Sequence, residues 1–374
     1  MSDTLAQVWL ADAQPQLQAY AVRIRARLGE WRPPVQQWRI WTQAVSNTAL
    51  ELGPGDLVVD QGHALNATQQ ADLLEQGAAL IVVAGESVSL AWGQNVYRLH
   101  GTPAAQWVAA LAAFLDCGFE PQDALCLAWG WRDDTAGADD WPRDLDALPR
   151  VSGLPPPGTP FAACPSRLGL YPVVPDAQWV ERLLDLGVKT IQLRCKSTDR
   201  ATIEREIQWA VAAGSAHDAR VFINDHWALA LQAGAYGVHL GQEDWPNADM
   251  EALARSGTRL GLSTHGIYEM LVAWHFRPSY IATGAVFATA TKHVATAPQG
   301  LARLRCYIRL LAEKVPSVAI GGIGLAELPR VLATSVGSAA VVSAITAADD
   351  VPAAVAALQQ VFELDYRASE ASSE

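Results

Sequence analysis

The stretch GLYPVVPDAQWVERLLDLGVKTIQLRCK, residues 169–196, decides the fold. An apolar run at 169–174 stops at Pro175-Asp176. Residues 176–186 then carry apolar side chains at helical period, and a second apolar run follows at 190–195. Strands joined through a helix run parallel, and apolar runs without alternation mark strands buried on both faces. The same rhythm continues through runs at 220–224, 237–242, 259–263, 280–287, 317–323 and 339–345. Helical-period segments lie between them, among them 200–216, 300–314 and 325–333. Eight strands alternating with helices over about 200 residues is the count of a (β/α)₈ barrel. The alternative, an open doubly wound sheet, more often has about five to seven strands and a Gly-rich turn after the first. Here the first strand leads into Pro172-Val173-Val174-Pro175-Asp176, without that turn.

Upstream of this stretch, residues 149–166 read PRVSGLPPPGTPFAACPS. The run Pro155-Pro156-Pro157 suits neither a helix interior nor a central strand and predicts an extended linker. The expected organisation is an N-terminal domain over 1–150, a linker over 151–166, a barrel over 167–365 and a flexible tail over 366–374. The fold class is α/β, a C-terminal TIM barrel with a smaller N-terminal α/β domain. The length of 374 residues accommodates two domains.

Composition narrows the function classes. Lys and Arg total 27 against 39 Asp and Glu, a formal charge of −12. That balance argues against nucleic acid, whose phosphates need a basic face. No apolar run approaches the roughly 20 residues of a membrane helix. The N-terminus, MSDTLAQ, has no apolar signal core behind it, and the five cysteines form neither a disulfide framework nor a zinc pattern. Both features predict a cytoplasmic protein. Homo-oligomerisation is compatible with the sequence but has no signature in it. Lysine is scarce: Lys189, Lys196, Lys292 and Lys314 are the four, beside 23 arginines.

In a barrel of this kind chemistry gathers at the C-terminal ends of the strands. The second strand ends Gln192-Leu193-Arg194-Cys195-Lys196, and period-two spacing puts Gln192, Arg194 and Lys196 on one face, suited to an anion such as a diphosphate. The third ends Asn224-Asp225 and the fourth runs into Gly241-Gln242-Glu243-Asp244. Two carboxylates at adjacent strand ends suit Mg²⁺, while the bland reading makes Asp225 and Asp244 helix caps. His239, inside the fourth strand, reads either as a core histidine or as a ligand contact. The fifth strand ends Ser263-Thr264-His265, where a nucleophile–base pair lacks an evident orienting carboxylate nearby in sequence. After the sixth strand, Thr289-Ala290-Thr291-Lys292 forms a polar loop able to close over phosphate oxygens. Gly321-Gly322 and Val342-Ser343, after the seventh and eighth, suit backbone amides held close to a second phosphate.

Taken together, Gln-Leu-Arg-x-Lys (192–196), Ile-Asn-Asp (223–225), Gly-Val-His-Leu-Gly-Gln-Glu-Asp (237–244), Gly-Leu-Ser-Thr-His (261–265), Thr-x-Thr-Lys (289–292), Ala-Ile-Gly-Gly-Ile (319–323) and Val-Val-Ser-Ala-Ile (341–345) resemble the thiamine phosphate synthase (thiamine-phosphate pyrophosphorylase) family over about 168–362. The resemblance implies condensation of hydroxymethylpyrimidine diphosphate with thiazole phosphate, by a dissociative substitution that releases pyrophosphate. It implies Asp225 and Asp244 as Mg²⁺ ligands, and Arg194, Lys196, Asn224 and Lys292 as pyrophosphate contacts. Gln192 and His239 would address the pyrimidine, Ser263 would lie near the reacting groups, and Thr289 and Thr291 would belong to the closing loop. Gly322, Val342 and Ser343 would cradle the thiazole phosphate. The substrates are small molecules. His226 stands where the family commonly has Arg, and Ala285 where it often has Pro. A thiazole tautomerase-like enzyme and a non-catalytic thiamine-phosphate-binding regulator are the alternatives; the tautomerase needs a proton shuttle rather than a charged clamp.

Residues 1–150 show strand candidates at 57–60, 79–84 and 96–99, and helix candidates at 102–116 and 121–131. His100-Gly101-Thr102-Pro103 resembles the anion-hole segment of hydroxymethylpyrimidine phosphate kinases of the ribokinase type, whose motif is Gly-Thr-Gly-Cys. Pro103 and Ala104 break that motif, so the resemblance implies a degenerate remnant.

Overall fold

The computed structural model describes residues 9–10, 15–31, 34–42, 52–62, 64–132, 141–289 and 297–371. The chain divides into two compact units, Met1–Pro155 and Pro156–Glu374.

The first unit is built on one seven-stranded sheet in sequential order: β1 (Trp9–Leu10), β2 (Arg39–Trp41), β3 (Asp56–Gln61), β4 (Ala79–Ala84), β5 (Ser87–Trp92), β6 (Asn95–His100) and β7 (Arg150–Val151). β1 to β4 pair in parallel and β4 to β7 antiparallel. Gly85-Glu86 and Gly93-Gln94 connect β4–β5–β6 as two-residue turns, each opened by a glycine at positive φ. The sequence reading misses β5 and the two- and three-residue strands, which are too short for a periodic signal. A charge at the root of β3 is fully buried and fully paired. Asp56 accepts from Arg39 Nη2 at 2.5 Å, Trp41 Nε1 at 2.9 Å and the Gly53 amide at 3.0 Å. Trp31 and Trp141 stack at 5.7 Å, and Phe119 packs against both rings.

The second unit is a closed barrel of eight parallel strands: β8 (Gly169–Val174), β9 (Thr190–Leu193), β10 (Arg220–Asn224), β11 (Gly237–Leu240), β12 (Arg259–Thr264), β13 (Tyr280–Thr283), β14 (Ser317–Ile320) and β15 (Ser338–Val341). β15 pairs back onto β8, with Val341 opposite Pro172, so no sheet edge remains. The pyrrolidine of Pro172 is tolerated within this ladder. Asp176 and Asp199 start their helices by accepting from the amides of Trp179 and Thr202, both at 2.9 Å. The Asp199 carboxyl is held below its ordinary range by its hydrogen bonds to Thr202.

Four expectations need correction. The strand read as 190–195 ends at Leu193, so Arg194 and Lys196 leave from a loop rather than from one strand face; Arg194 is half-buried and Lys196 exposed. The runs read to 287 and 345 stop at Thr283 and Val341, because their last apolar residues belong to connecting segments. Residues 161–164, read as linker, belong to the barrel. The Phe161 amide donates to the Arg277 carbonyl, while the Ala162 and Ala163 carbonyls accept from Ser279 and Arg259 at 2.6 and 3.2 Å. Cys164 joins the interior cluster of Tyr171, Phe222 and Tyr280, and burial pushes its thiol up to about 11. Finally, helix Val351–Ala371 runs through most of the residues read as a flexible tail. It is anchored by buried Val351, Val355 and Leu358 and by an Arg167–Asp365 ion pair at 3.3 Å. Among the described residues no helix is long and apolar enough to cross a membrane.

Candidate active site

Parallel closure brings the C-terminal ends of all eight strands to one mouth, so residues far apart in sequence become neighbours there. Gln192, on β9, is buried and donates from Nε2 to Asn224 Oδ1 at the end of β10, at 2.6 Å. That bond leaves the Asn224 amide NH₂ to donate elsewhere. The next residue, Asp225, sits at φ +62°, in the left-handed region where Asp and Asn are the most tolerated residues with a side chain. Its amide donates to the His239 carbonyl at 3.0 Å, which ties the carboxylate's backbone to β11.

Asp244 stands at the N-cap of the short 3-10 helix Trp245–Asn247 but makes no side-chain cap bond there. Helix Trp227–Gln232 has His226 at its N-cap and no side-chain cap bond. Helix Met250–Arg255 is capped by Asp249 through the Ala252 amide. Asp244 instead turns back, and its Oδ2 accepts from the Gly241 amide at 3.1 Å. The two oxygen-donor side chains thus follow adjacent, paired strands. A hard cation that takes one or two carboxylates and completes its sphere with water and phosphate oxygens fits this donor set. Among the described residues no cluster of three or more His, Cys, Asp or Glu forms a richer metal cage.

His239, Ser263 and two tyrosines form a continuous chain. His239 Nε2 lies 2.7 Å from Ser263 Oγ, His239 Nδ1 lies 2.7 Å from Tyr280 Oη, and Tyr280 Oη lies 2.8 Å from Tyr171 Oη. Burial pushes both phenols well above their ordinary pKa, so both stay protonated. Gly261 makes this arrangement fit. A Cβ on Gly261 would fall inside Tyr280 Cζ and Oη, well within van der Waals contact. The Ser263–His265 pair considered from sequence does not form. β12 ends at Thr264, and the His265 ring turns to Glu269 Oε2 at 2.8 Å, on the next helix. An orienting carboxylate therefore does stand four residues away, but it serves a histidine that Ser263 does not meet.

After β13, Val286 and Phe287 donate to the carbonyls of Ile320 and Gly321 and so pin the start of the sixth connection against β14. Thr289 lies at the end of this described segment; Thr291 and Lys292 lie outside the described residues. Gly322 (φ +65°) has no room for a side chain, since a Cβ there would stand 2.5 Å from the Ala288 carbonyl oxygen. Val342 and Ser343 follow β15, adjacent to β14, which places the second candidate anion cradle beside the sixth connection.

A scan of protein-family models matches residues 170–345 to the family described as thiamine monophosphate synthase. The thiamine-phosphate synthase of Salmonella schwarzengrund is 55% identical over 201 residues, which cover 54% of this chain and 95% of that protein. The chain belongs to the thiamine-phosphate synthase family. The synthase of Cronobacter sakazakii is similar at 56% identity over 190 residues, 51% of this chain and 90% of its own. A solved thiamine phosphate pyrophosphorylase from Pyrococcus furiosus aligns at 30% identity over 53% of this chain and 96% of its own, with a TM-score of 0.47. The match to the Salmonella and Cronobacter synthases spans 95% and 90% of those proteins, and the family match falls on the barrel half of this chain.

Within the synthase barrel, the structure adds residues that the sequence reading left without a role. Gln242 Nε2 donates to the Ser263 carbonyl at 2.7 Å, fixing the fourth connection to β12. Gln299 is buried and donates to the carbonyls of Gly284 and His265, at 2.7 and 2.9 Å. Gln242 stands inside a recognisable motif; Gln299 carries no local signal at all. A cavity of about 800 Å³ borders Arg167, Ser317, Ser335 and Gly337, at the N-terminal ends of β8, β14 and β15, opposite the mouth that gathers the synthase motifs.

Proposed function

We infer that the barrel is a thiamine-phosphate synthase that joins hydroxymethylpyrimidine diphosphate to thiazole phosphate. The observation that carries the reading is the 55% identity over 95% of a named synthase. In the reaction the methylene C–O bond breaks and the diphosphate leaves with the electron pair. The thiazole nitrogen supplies its lone pair to form the new C–N bond, so the nucleophile needs no base. The demands on the protein are to stabilise a departing polyanion and to hold the second substrate in line.

Arg194, Lys196, Asn224 and Lys292 receive the diphosphate in this reading, with Thr289 and Thr291 in the loop closing beside it. Gln192 and His239 orient the pyrimidine. Gly322, Val342 and Ser343 hold the thiazole phosphate on backbone amides, and Ser263 lies at the reacting groups. Asp225 and Asp244 would hold Mg²⁺, which when bound offsets charge developing on the diphosphate oxygens. What supports these roles is the convergence of Gln192 with Asn224, of Asp225 with β11, and of His239 with Ser263 at one mouth. The retained Arg194, Asp225 and Asp244 favour this reading over a tautomerase-like proton shuttle.

Full-length protein supplied with both substrates and Mg²⁺ is expected to release pyrophosphate and form thiamine phosphate in equal amounts. Omitting either substrate or the metal should abolish both products. Folded protein that makes no thiamine phosphate under the complete conditions would rule the assignment out.

The N-terminal unit has no counterpart in relatives that the barrel half already covers to 95%. We read it as a degenerate kinase-like remnant. At the segment where that kinase family builds its anion hole, the Gly101 and Ala104 amides donate to the carbonyls of Glu86 and Trp129. Thr102 Oγ1 donates to the Glu86 carboxylate at 2.7 Å, which puts a negative charge where an anion would sit. A chain beginning at Pro156 should keep turnover within about threefold of full length, whereas one beginning at Ala163 loses Phe161 and Ala162 and should melt lower. Loss of activity in the Pro156 chain, with its barrel folded, would assign the first unit a part in catalysis.

A further inference from the structure

The chain Tyr171–Tyr280–His239–Ser263 has a direction, and the buried end sets it. Tyr171 and Tyr280 are 1% and 0% exposed, and among the described residues the partner of the Tyr171 hydroxyl is Tyr280 Oη. A buried O–H without an acceptor is strongly disfavoured. Tyr171 therefore donates to Tyr280. The Tyr280 hydroxyl has one proton, and its other partner is His239 Nδ1, so it donates there. Nδ1 can accept only if it carries no hydrogen, which places the ring proton on Nε2. Nε2–H then donates to Ser263 Oγ. The opposite direction would leave the Tyr171 hydroxyl proton inside the barrel with no acceptor.

We propose that Tyr280, backed by Tyr171, is a positioning residue for the synthase reaction. It locks His239 as the neutral Nε2–H tautomer, so that His239 donates to Ser263 and Ser263 in turn aims its own O–H at an acceptor atom of the substrate in the mouth. Among the described residues the hydrogen-bond partner of half-buried Ser263 Oγ is His239 Nε2, which leaves the serine proton for an acceptor on the substrate. This assignment rests on the synthase reading for the reaction, but the tautomer follows from the geometry alone. It also accounts for a Ser–His contact of 2.7 Å that does no nucleophilic work. A histidine already protonated at Nε2 cannot take the serine proton, so the pair supplies a fixed donor in place of a nucleophile.

The test uses full-length protein, with Tyr280→Phe and the double variant Tyr171→Phe/Tyr280→Phe. The double variant leaves no orphaned phenol and covers the case in which the single one fails to fold. Long-range ¹H–¹⁵N correlation of the imidazoles, with His239 assigned by its loss in His239→Gln, should show a single Nε2–H tautomer in the unaltered protein. In either phenylalanine variant that signal should become a mixture of tautomers. The kcat for thiamine phosphate formation should fall roughly 10- to 100-fold, the size seen when a supporting hydrogen bond is lost, with both KM values within about threefold. A merely structural role would move stability but neither the tautomer nor kcat at constant KM. An Nδ1–H tautomer in the unaltered protein, or an unchanged tautomer and kcat in the folded variants, would overturn the proposal. If the unaltered protein makes no thiamine phosphate, the reaction assignment fails while the tautomer measurement still decides this one.

Discussion

Asp225→Asn is expected to lower kcat/KM for thiamine phosphate formation by about 10²–10³-fold, equivalent to roughly 3–4 kcal/mol of transition-state stabilisation at ~1.4 kcal/mol per tenfold. The variant keeps size and hydrogen-bonding shape but removes the charge that, with Asp244, would hold Mg²⁺. Asparagine is the informative choice because of the backbone. Asp225 lies at φ +62°, a region that Asn also enters readily, whereas Ala would add about 1–2 kcal/mol of strain and blur catalysis with folding. The melting temperature of Asp225→Asn should stay close to that of the unaltered protein, since the variant preserves both size and backbone conformation. Calorimetric titration should show Mg²⁺ affinity falling in parallel with the rate. Turnover within threefold, at saturating substrates and moderate Mg²⁺, would remove Asp225 from the site. A pure binder of the thiazole half would show little change in ligand affinity.

Gly261→Ala should produce a clear loss of stability. The new Cβ would overlap Tyr280 Cζ and Oη, and that ring cannot retreat. Phe222 packs edge-on at 5.2 Å and Tyr171 at 5.9 Å, while its hydroxyl is held at both His239 and Tyr171. Overpacking of a tight core costs about 1–3 kcal/mol. At about 2–4 °C of Tm per kcal/mol for a unit of this size, the midpoint should drop by roughly 2–12 °C. Activity should fall as well, because displacing Tyr280 displaces the His239–Ser263 contact. Thermal unfolding followed beside turnover checks both. An unchanged midpoint would mean that the β12–β13 spacing relaxes freely, and the close fit would then have no energetic meaning.

Local pattern was enough for much of this protein. Eight apolar runs with helices between them required a parallel sheet buried on both faces, and their number closed it into a barrel. The strand ends then localised Gln192, Asn224, Asp225, His239 and Ser263, because the side-chain period and the run boundaries are properties of adjacent residues. Boundaries were legible less well. An apolar run does not reveal where the ladder stops and a buried connection starts, so the run at 280–287 hid a strand of four residues, Tyr280–Thr283.

Which polar group meets which was settled only by closure. His239 and Ser263 are 24 residues apart and on neighbouring strands, and their contact depends on the parallel register that sets His239 opposite Gly261. No sequence spacing encodes that register, because the helix between the strands erases any simple period. His265 stood two residues from Ser263 and looked the nearer partner, yet the end of β12 turned it toward Glu269. The direction of the Tyr171–Tyr280–His239–Ser263 chain is more distant still from sequence. It follows from the burial of one phenol with one acceptor, a condition that exists only once the barrel has excluded water. The sequence by itself therefore determined the barrel and the chemical groups delivered to its mouth. The tertiary structure decided how those groups are paired, because pairing across a closed sheet is set by register and desolvation, which are properties of the assembled barrel.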